Sequence, residues 1–129
     1  MRRQRVYSGT QWEEKVAYCR ALKVGPSVFV AGTTAVDENL TVVAPDDMGS
    51  QARFIFEKIG RALSECGASL RDVVRTRMFV TDISRFEEVA MAHRQFFEGI
   101  DPVATCVEVQ RLVNPELLIE IEVDAILVE

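Results

Sequence analysis

The stretch "LLIEIEVDAILV" (Leu117 to Val128) has the clearest strand pattern in the chain. Its apolar residues occupy every second position from Ile119 to Leu127, and Glu120, Glu122 and Asp124 occupy the positions between them. Because successive side chains of a strand point to opposite faces, the apolar face fits a core and the acidic face lies away from it. The stretch therefore predicts a strand with one covered face and one polar face.

Other stretches add strands on both sides of this one. "VAYCRALKV" (Val16 to Val24) and "SVFVAG" (Ser27 to Gly32), separated by Gly25 and Pro26, predict a β-hairpin. "VVRTRMFVT" (Val73 to Thr81) alternates, and "DPVATCVEVQ" (Asp101 to Gln110) resembles a further strand. In the first of these two, the pattern predicts one face with Val74, Met78 and Val80 and another with Arg75, Arg77 and Phe79. In the second, it predicts one face with Thr105, Val107 and Val109 and another with Ala104, Cys106, Glu108 and Gln110.

Two amphipathic helices complete the predicted order. The first begins near Asp46 or Asp47, either of which can cap it, and Gly67 is a plausible stop. Its apolar stripe is Met48, Ala52, Ile55, Phe56, Ile59 and Leu63. The second begins with a capping box of Ser84 and Glu87. Its apolar face is Phe86, Val89, His93, Phe96 and Phe97.

Two helices can cover only one face of such a sheet. The other face is then expected to carry mixed polar and aliphatic side chains. The polar ones are Arg75, Arg77, Cys106, Glu108, Glu120 and Glu122. A mixed face suits contact with another subunit, and it equally suits a solvated face, which antiparallel sheets tolerate.

Composition limits the possible classes of protein. A chain of 129 residues predicts one domain, residues 1–129. The net charge of -5 argues against a nucleic-acid partner, despite the arginines near the N-terminus. No segment resembles a membrane span or a signal peptide, so the expected location is the cytoplasm. The three cysteines form no metal or disulfide pattern, and we expect no metal or cofactor.

Individual residues permit only a few kinds of chemistry. His93, the single histidine, lies on an apolar helix face, which favours a structural role. Glu120 is a candidate base for activating water if it is partly buried; the alternative is an ion pair with Arg75 or Arg77. Cys106 and Tyr18 are candidates for a ligand site, but their residue types are more often found in packing roles.

Three segments together resemble the Rid family of reactive intermediate deaminases, also called YjgF-like or L-PSP proteins. They are "VGPSVFVAGTTAV", "VVRTRMFVTDISRFEEVAMAHRQFF" and "DPVATCVEVQRLVNPELLIEIEVDAI". The resemblance implies a chorismate-mutase-like α+β fold, a mixed sheet with two helices on one face. It also implies a homotrimer around a central barrel with small-molecule clefts between subunits. Archetypal members hydrolyse imines and enamines derived from amino acids, without a cofactor.

The resemblance also implies roles for single residues. Glu120 matches the family glutamate that positions the attacking water, and Tyr18 and Cys106 match the tyrosine and the cysteine of the site. Three positions depart from the family, because Ala31, Ala90 and Ala104 replace its serine, asparagine and carboxylate-binding arginine. A methyl group cannot bind a carboxylate, so the substrate is expected to differ from archetypal imino acids.

Another cation can stand in for the missing arginine. Arg20 lies two residues from Tyr18, and the hypothesis is that it lines the cleft. The alternative is that Arg20 forms a surface or interface salt bridge. Trp12 either covers the cleft or packs at an interface.

Three functions follow from these expectations. The first is hydrolysis of imines or enamines with Glu120 as base and Tyr18, Arg20, Ala104 and Cys106 around the substrate. The second is a non-catalytic small-molecule-binding or regulatory trimer, which the three alanines favour. RNA cleavage, after which some members of the family are named, is the weakest, because the chain is acidic and has one histidine.

Overall fold

The computed structural model describes residues 2–128 and contains a six-stranded mixed sheet of order β1-β2-β3-β6-β4-β5. The strands are β1 (Arg3–Val6), β2 (Ala21–Val24), β3 (Ser27–Thr34), β4 (Val73–Val80), β5 (Val103–Glu108) and β6 (Ile119–Ile126). The helices are α1 (Gln11–Val16), α2 (Met48–Glu65) and α3 (Phe86–Phe97), with 3-10 turns at Leu70–Asp72 and Ile83–Arg85. None of the described helices has the length and apolar character needed to cross a bilayer.

The central strand is β6, as its alternating pattern predicts. It pairs antiparallel with β3 on one side and β4 on the other, and β4 pairs parallel with β5. Ile119, Ile121, Val123 and Ala125 are buried under the helices, while Glu120, Glu122 and Asp124 face the opposite side. The face predicted to be covered is therefore confirmed.

Helix α2 begins and ends where its sequence predicts. The carboxylate of Asp47 accepts a hydrogen bond from the Ser50 amide at 2.9 Å, and Gly67 adopts a left-handed φ of 74° just beyond the helix. All six residues of the predicted stripe are fully buried. Gln51, also buried, accepts a hydrogen bond from the Leu118 amide at 2.8 Å, so α2 positions the start of β6 directly.

The predicted first hairpin is only partly correct. Its second strand is confirmed, but its first strand begins at Ala21, and residues 16–19 form the end of α1 and a loop. Ala17 ends this helix with a left-handed φ of 70° and donates its amide to Glu13 O. Tertiary contacts outweigh local β propensity here, since Glu13 of α1 is buried and bonded to Ser8 and Arg20. Residues 3–6, which the sequence shows only as a basic cluster, pair with β2 as β1.

The start of α3 also differs from the prediction. The capping box of Ser84 and Glu87 is wrong, because Asp82 accepts hydrogen bonds from Ser84 and caps a 3-10 turn instead. Helix α3 then begins at Phe86, without a side-chain cap at Arg85. Phe86 is exposed, whereas Val89 and Phe97 enter the core.

Pairing register corrects two assignments of side chains to faces. The β4–β6 register shifts between Val73 and Arg75, so Val73 is buried and Val74 is 40% exposed rather than covered. In the parallel β4–β5 ladder, Met78 pairs with Cys106 and Val80 with Glu108. Met78 and Val80 are buried beneath the helices, so Cys106 and Glu108 lie on the helix side and not beside Glu120.

Candidate functional site

A cavity of about 480 Å³ lies at the end of the sheet where β6 begins, and we call it the Glu120 cavity. Its polar and aromatic lining includes Trp12, Tyr18, Arg20, Lys58, Asn114 and Glu120, with Gly32 in its wall. Thr10, Gln11 and Thr34 add further polar groups, and the apolar part of the lining includes Val36, Leu40, Val42, Val113 and Leu117. A concave site that combines apolar side chains with convergent polar groups is typical of small-molecule binding.

The carboxylate of Glu120 is the central feature of this cavity. It lies so close to Gly32 that a Cβ at position 32 would overlap with its Oε2 atom. The β3–β6 register shift between Val30 and Thr33 occurs at the same place. A side chain at position 32 would therefore displace the carboxylate, which is the end of a flexible side chain, from its present position.

The environment of Glu120 makes its proton harder to remove. Burial raises the pKa of this carboxyl above its ordinary value; the charge of Arg20 partly opposes the shift, and the charge of Glu122 adds to it. The predicted alternative of an ion pair with Arg75 or Arg77 is wrong. Within residues 2–128 those arginines pair with Glu122 and Asp124, and the side chain of Glu120 has no ion pair or hydrogen bond.

Arg20 is buried and firmly held beside this carboxylate. One of its terminal nitrogens donates to Gly32 O at 2.7 Å and to Thr33 Oγ1 at 3.1 Å, and its Nε lies 3.5 Å from Glu13 Oε2. Its side chain is 8% exposed and that of Glu13 is 3% exposed. The hypothesis that Arg20 lines the cleft agrees with this cavity, but its salt bridge is internal and not on the surface.

Glu13 completes this buried group. The amide of Ser8 donates to Glu13 Oε1 at 2.9 Å, and the hydroxyl of Ser8 donates to the other oxygen. Burial opposes ionisation of Glu13, but the hydrogen bonds from Ser8 and the charge of Arg20 together lower its pKa. The segment before β2 is thus attached to the cavity by charge and hydrogen bonds.

Tyr18 lies next to Arg20 although it belongs to a loop and not to the predicted strand. Its hydroxyl accepts a hydrogen bond from Arg20 Nη2 at 3.3 Å, and the guanidinium carbon is 5.6 Å from the ring centre. The structure therefore brings Tyr18, Arg20 and Glu120 to one cavity. Trp12, from α1, lines the same cavity and is 46% exposed, with Lys15 Nζ lying 5.7 Å from its ring centre.

The remaining predicted site residues lie elsewhere in the single chain. Ala104 and Ala90 line a cavity of about 390 Å³ between β5 and α3, on the helix side of the sheet. Cys106 is on the same side, and burial raises the pKa of its thiol, which makes a thiolate nucleophile less accessible. Glu108 accepts a hydrogen bond from the Ile83 amide at 3.0 Å, which is a structural contact.

His93 has the structural role that its helix face predicts. Its Nε2 lies 2.9 Å from Thr76 Oγ1, and its ring packs against Phe56 and Phe97. Burial lowers the pKa of His93 and favours its neutral form. Across residues 2–128, no three or more histidine, cysteine or acidic side chains are grouped as a metal site requires.

Sequence reasoning missed one cavity residue of chemical interest, Lys58 of α2. It follows Glu57 and precedes the buried Ile59, so it lies at the border of the apolar stripe. Lysines at such borders commonly extend along apolar surface to water, which leaves no distinct signal in the sequence. In the sequence, position 32 is marked only by the neighbouring departure from the family at Ala31. The close approach of Glu120 to Gly32 leaves no local signal, because it comes from a distant strand.

Comparisons with known proteins agree with this architecture. The family model of endoribonuclease L-PSP matches residues 10–127. A crystal structure from Mycobacterium tuberculosis, described as a member of the highly conserved YjgF/YER057c/UK114 family, superposes with a TM-score of 0.89 at 47% identity. The match covers 98% of this chain and 100% of that one.

Two curated relatives extend the comparison. An uncharacterized protein of Streptomyces coelicolor is 33% identical over 94% of this chain and 90% of its own length. The 3-aminoacrylate deaminase RutC of Acinetobacter baylyi is 36% identical over 81% of this chain and 82% of its own length. Together, the match over nearly the whole chain and the shared sheet and helices show that this chain belongs to the endoribonuclease L-PSP family, the YjgF or Rid proteins.

Proposed function

We propose that this protein hydrolyses small imines or enamines to a carbonyl compound and ammonia, without a cofactor. The observation that carries the proposal is the partly buried Glu120 carboxylate, unpaired within residues 2–128 and lying over Gly32 in a cavity with polar and apolar walls. A similarity to the 3-aminoacrylate deaminase of Acinetobacter baylyi, whose named substrate is an enamine, supports the same reaction class.

The reaction requires one base that later returns a proton. Glu120 accepts a proton from water while the water oxygen bonds to the carbon of the protonated imine, whose C=N π electrons move to nitrogen and give a neutral carbinolamine. The protonated Glu120 then gives its proton to that nitrogen, the carbon–nitrogen bond breaks, and ammonia leaves with the bonding pair while the hydroxyl returns its proton to Glu120 and the carbonyl forms. Glu120 finally releases this proton to solvent. An enamine first takes a proton from solvent on carbon and becomes the same protonated imine. Because burial raises the pKa of this carboxyl, Glu120 is a stronger base than an ordinary carboxylate and can still return the proton.

Arg20 and Tyr18 shape the site around this base. Four of the five N–H donors of Arg20 bind Glu13, Gly32, Thr33 and Tyr18. Arg20 therefore mainly holds the residues of the cavity wall in position. Tyr18 accepts one of these bonds and keeps its own proton, which it can donate to a substrate oxygen or nitrogen. The proposed roles are positioning for Arg20 and direct substrate contact for Tyr18.

A homotrimer is part of this proposal. The face that the helices leave open exposes four apolar side chains, Phe29, Val103, Val107 and Ile126, among the charged pairs of Arg75 and Arg77. Such a mixed face suits contact between copies of the chain. Ala104 and Cys106 lie on the helix side of the sheet and Glu120 on the opposite face, so a cleft holding all three requires β5 from a neighbouring copy. Light scattering at micromolar concentration tests the assembly, and a monomeric mass would refute it.

Ammonia release tests the reaction. Freshly generated imines and enamines, with and without a carboxylate, are incubated with the parent protein and with Glu120→Gln. We expect the substitution to lower the rate by about 10²-fold or more, since a positioned general base contributes roughly 10² to 10⁴. The matched control is Glu87→Gln, at an exposed residue of α3 on the helix side and outside the Glu120 cavity, which should keep the parent rate and assembly.

The second candidate function is a non-catalytic binding or regulatory trimer. The specific observation that favours it is the replacement of three polar family residues by Ala31, Ala90 and Ala104. It predicts no ammonia release above the uncatalysed rate for any substrate of the panel, together with saturable binding of a small molecule in the Glu120 cavity. These two results together would refute the proposed hydrolysis and support a binding function.

A further inference from the structure

Lys58 presents an ammonium group to two adjoining cavities. It lines the Glu120 cavity and a neighbouring one of about 710 Å³ between α2 and residues 6–10. The lysine is half-buried, and its one hydrogen bond within residues 2–128 goes to Val36 O at 3.2 Å. No carboxylate of the described chain lies within ion-pair distance of it.

Counting donors shows which cation of the cavity can receive a ligand. A lysine ammonium has three N–H donors, and the bond to Val36 uses one of them. Arg20 has one donor left, and its charge faces the buried carboxylate of Glu13. Lys58 is therefore better able than Arg20 to bind an incoming anion. Its charge is not already paired with a carboxylate, and two of its N–H donors are unused.

The surroundings of Lys58 make an anionic ligand favourable. Burial lowers the pKa of Lys58, and the neighbouring charges of Arg20 and Arg61 act in the same direction, opposed by Glu13 and Asp37. A half-buried cation that lacks an ion-pair partner gains when a ligand carboxylate supplies one. Because Lys58 is half-buried, that attraction is stronger than it would be in open water.

We propose that Lys58 binds the carboxylate of the substrate, so that the reaction takes small imines or enamines that carry a carboxylate. This inference rests on the proposed function for the reaction, but the anion site itself can be tested by binding alone. It changes the expectation drawn from Ala104, because the missing arginine would be replaced by a cation from α2. Glu120 and Lys58 line one cavity, which allows one ligand to meet the base with its reacting carbon and the ammonium with its carboxylate.

Binding of two matched probes separates a charge contact from general packing. Pyruvate carries a carboxylate, and pyruvamide has nearly the same shape without the charge. Titration calorimetry should show that the parent prefers pyruvate, and that Lys58→Met lowers pyruvate affinity by roughly tenfold or more while changing pyruvamide little. Lys58→Arg should keep most of the preference, and Lys23→Met, at a lysine of β2 outside both cavities, should behave like the parent.

The outcomes distinguish this inference from the proposed function. If folded Lys58→Met, or Lys58→Gln should the methionine variant not fold, binds pyruvate like the parent, the inference is wrong. It is also wrong if ammonia release is equally fast for imines with and without a carboxylate, a result that leaves the proposed function intact. Pyruvate binding that depends on Lys58, without ammonia release from any substrate, keeps the anion site and refutes the reaction.

Discussion

Glu120 and Glu122 are two residues apart on the same face of β6, yet they have different environments. Glu122 forms an ion pair with Arg77 at 3.2 Å, and its side chain is 36% exposed. Glu120 has no ion pair within residues 2–128 and lies over Gly32 in a cavity. Strand alternation places both on one face; only the neighbours from β3 and the loop before β2 make one of them a candidate base.

The strongest test of this difference between Glu120 and Glu122 is to displace the Glu120 carboxylate while keeping the residue itself. Gly32→Ala adds a methyl group where that carboxylate now lies, so we expect ammonia release to fall by roughly 10²-fold, approaching loss of the base. Stability should fall by about 1 kcal/mol at most, because the clashing carboxylate is the end of a flexible side chain and can move aside. Steady-state rates and urea unfolding measure both effects. A Gly32→Ala protein with the parent rate would show that the position of Glu120 does not matter.

The next prediction concerns the buried pair that supports the cavity. Glu13→Ala leaves Arg20 buried without its counter-charge, and removing one partner of a buried pair costs about 3–5 kcal/mol. Urea unfolding should show a loss of this size. The control is Glu98→Ala, which breaks the exposed i,i+4 pair with Arg94 and should change stability by about 0.5 kcal/mol or less. Equal losses of unfolding free energy in Glu13→Ala and Glu98→Ala would mean that burial of the Glu13–Arg20 pair does not increase its contribution to stability.

The pH dependence of folding stability tests the environment of Glu120 without a rate assay. The pKa of Glu120 is raised in the folded state, so the fold takes up a proton there at a pH where the unfolded chain has lost it. The ionised form therefore destabilises the fold above this pKa, and the penalty disappears as pH falls through it.

Glu120→Gln should consequently be more stable than the parent at about pH 8, with the difference shrinking towards about pH 4. Glu13 provides the opposite case, because its pKa is lowered. Its stabilising contribution is present above the unfolded pKa and is lost as pH falls through the folded one. Urea midpoints between about pH 8 and about pH 4 measure the first trend, and midpoints continued below about pH 4 measure the second. A constant difference between parent and Glu120→Gln would contradict the first.

The smallest expected effect tests whether Gly32 is special among the glycines. Gly60 lies in the middle of α2, and a Cβ there would meet Leu70 at 3.8 Å, which is ordinary contact. Gly60→Ala should therefore raise stability by about 0.5–1 kcal/mol through helix propensity. Thermal unfolding measures it, and destabilisation similar to that of Gly32→Ala would show that the space near position 60 is tighter than it looks.

Sequence reasoning was strongest where one element determines the result by itself. The alternation of β6 and the stripe of α2 have a single period each, and their buried residues follow from it. Faces that depend on register were harder: the parallel pairing of Met78 with Cys106 and the shift at Val74 cannot be read from one strand. The Glu120 site depended on four separate segments, so sequence identified Glu120, Tyr18 and Arg20 but neither Lys58 nor the buried partner Glu13.

The attachment of residues 8–13 to Arg20 has a consequence for motion. This segment is mostly exposed, and its contacts with the cavity are the hydrogen bonds of Ser8, the carboxylate of Glu13 and the lining side chains of Thr10 and Trp12. The sheet beneath it is held by continuous ladders and a buried core. We therefore expect the segment to open as a unit while the sheet stays folded, exchanging its amide hydrogens sooner than β6. Such opening would give a ligand its way into the cavity.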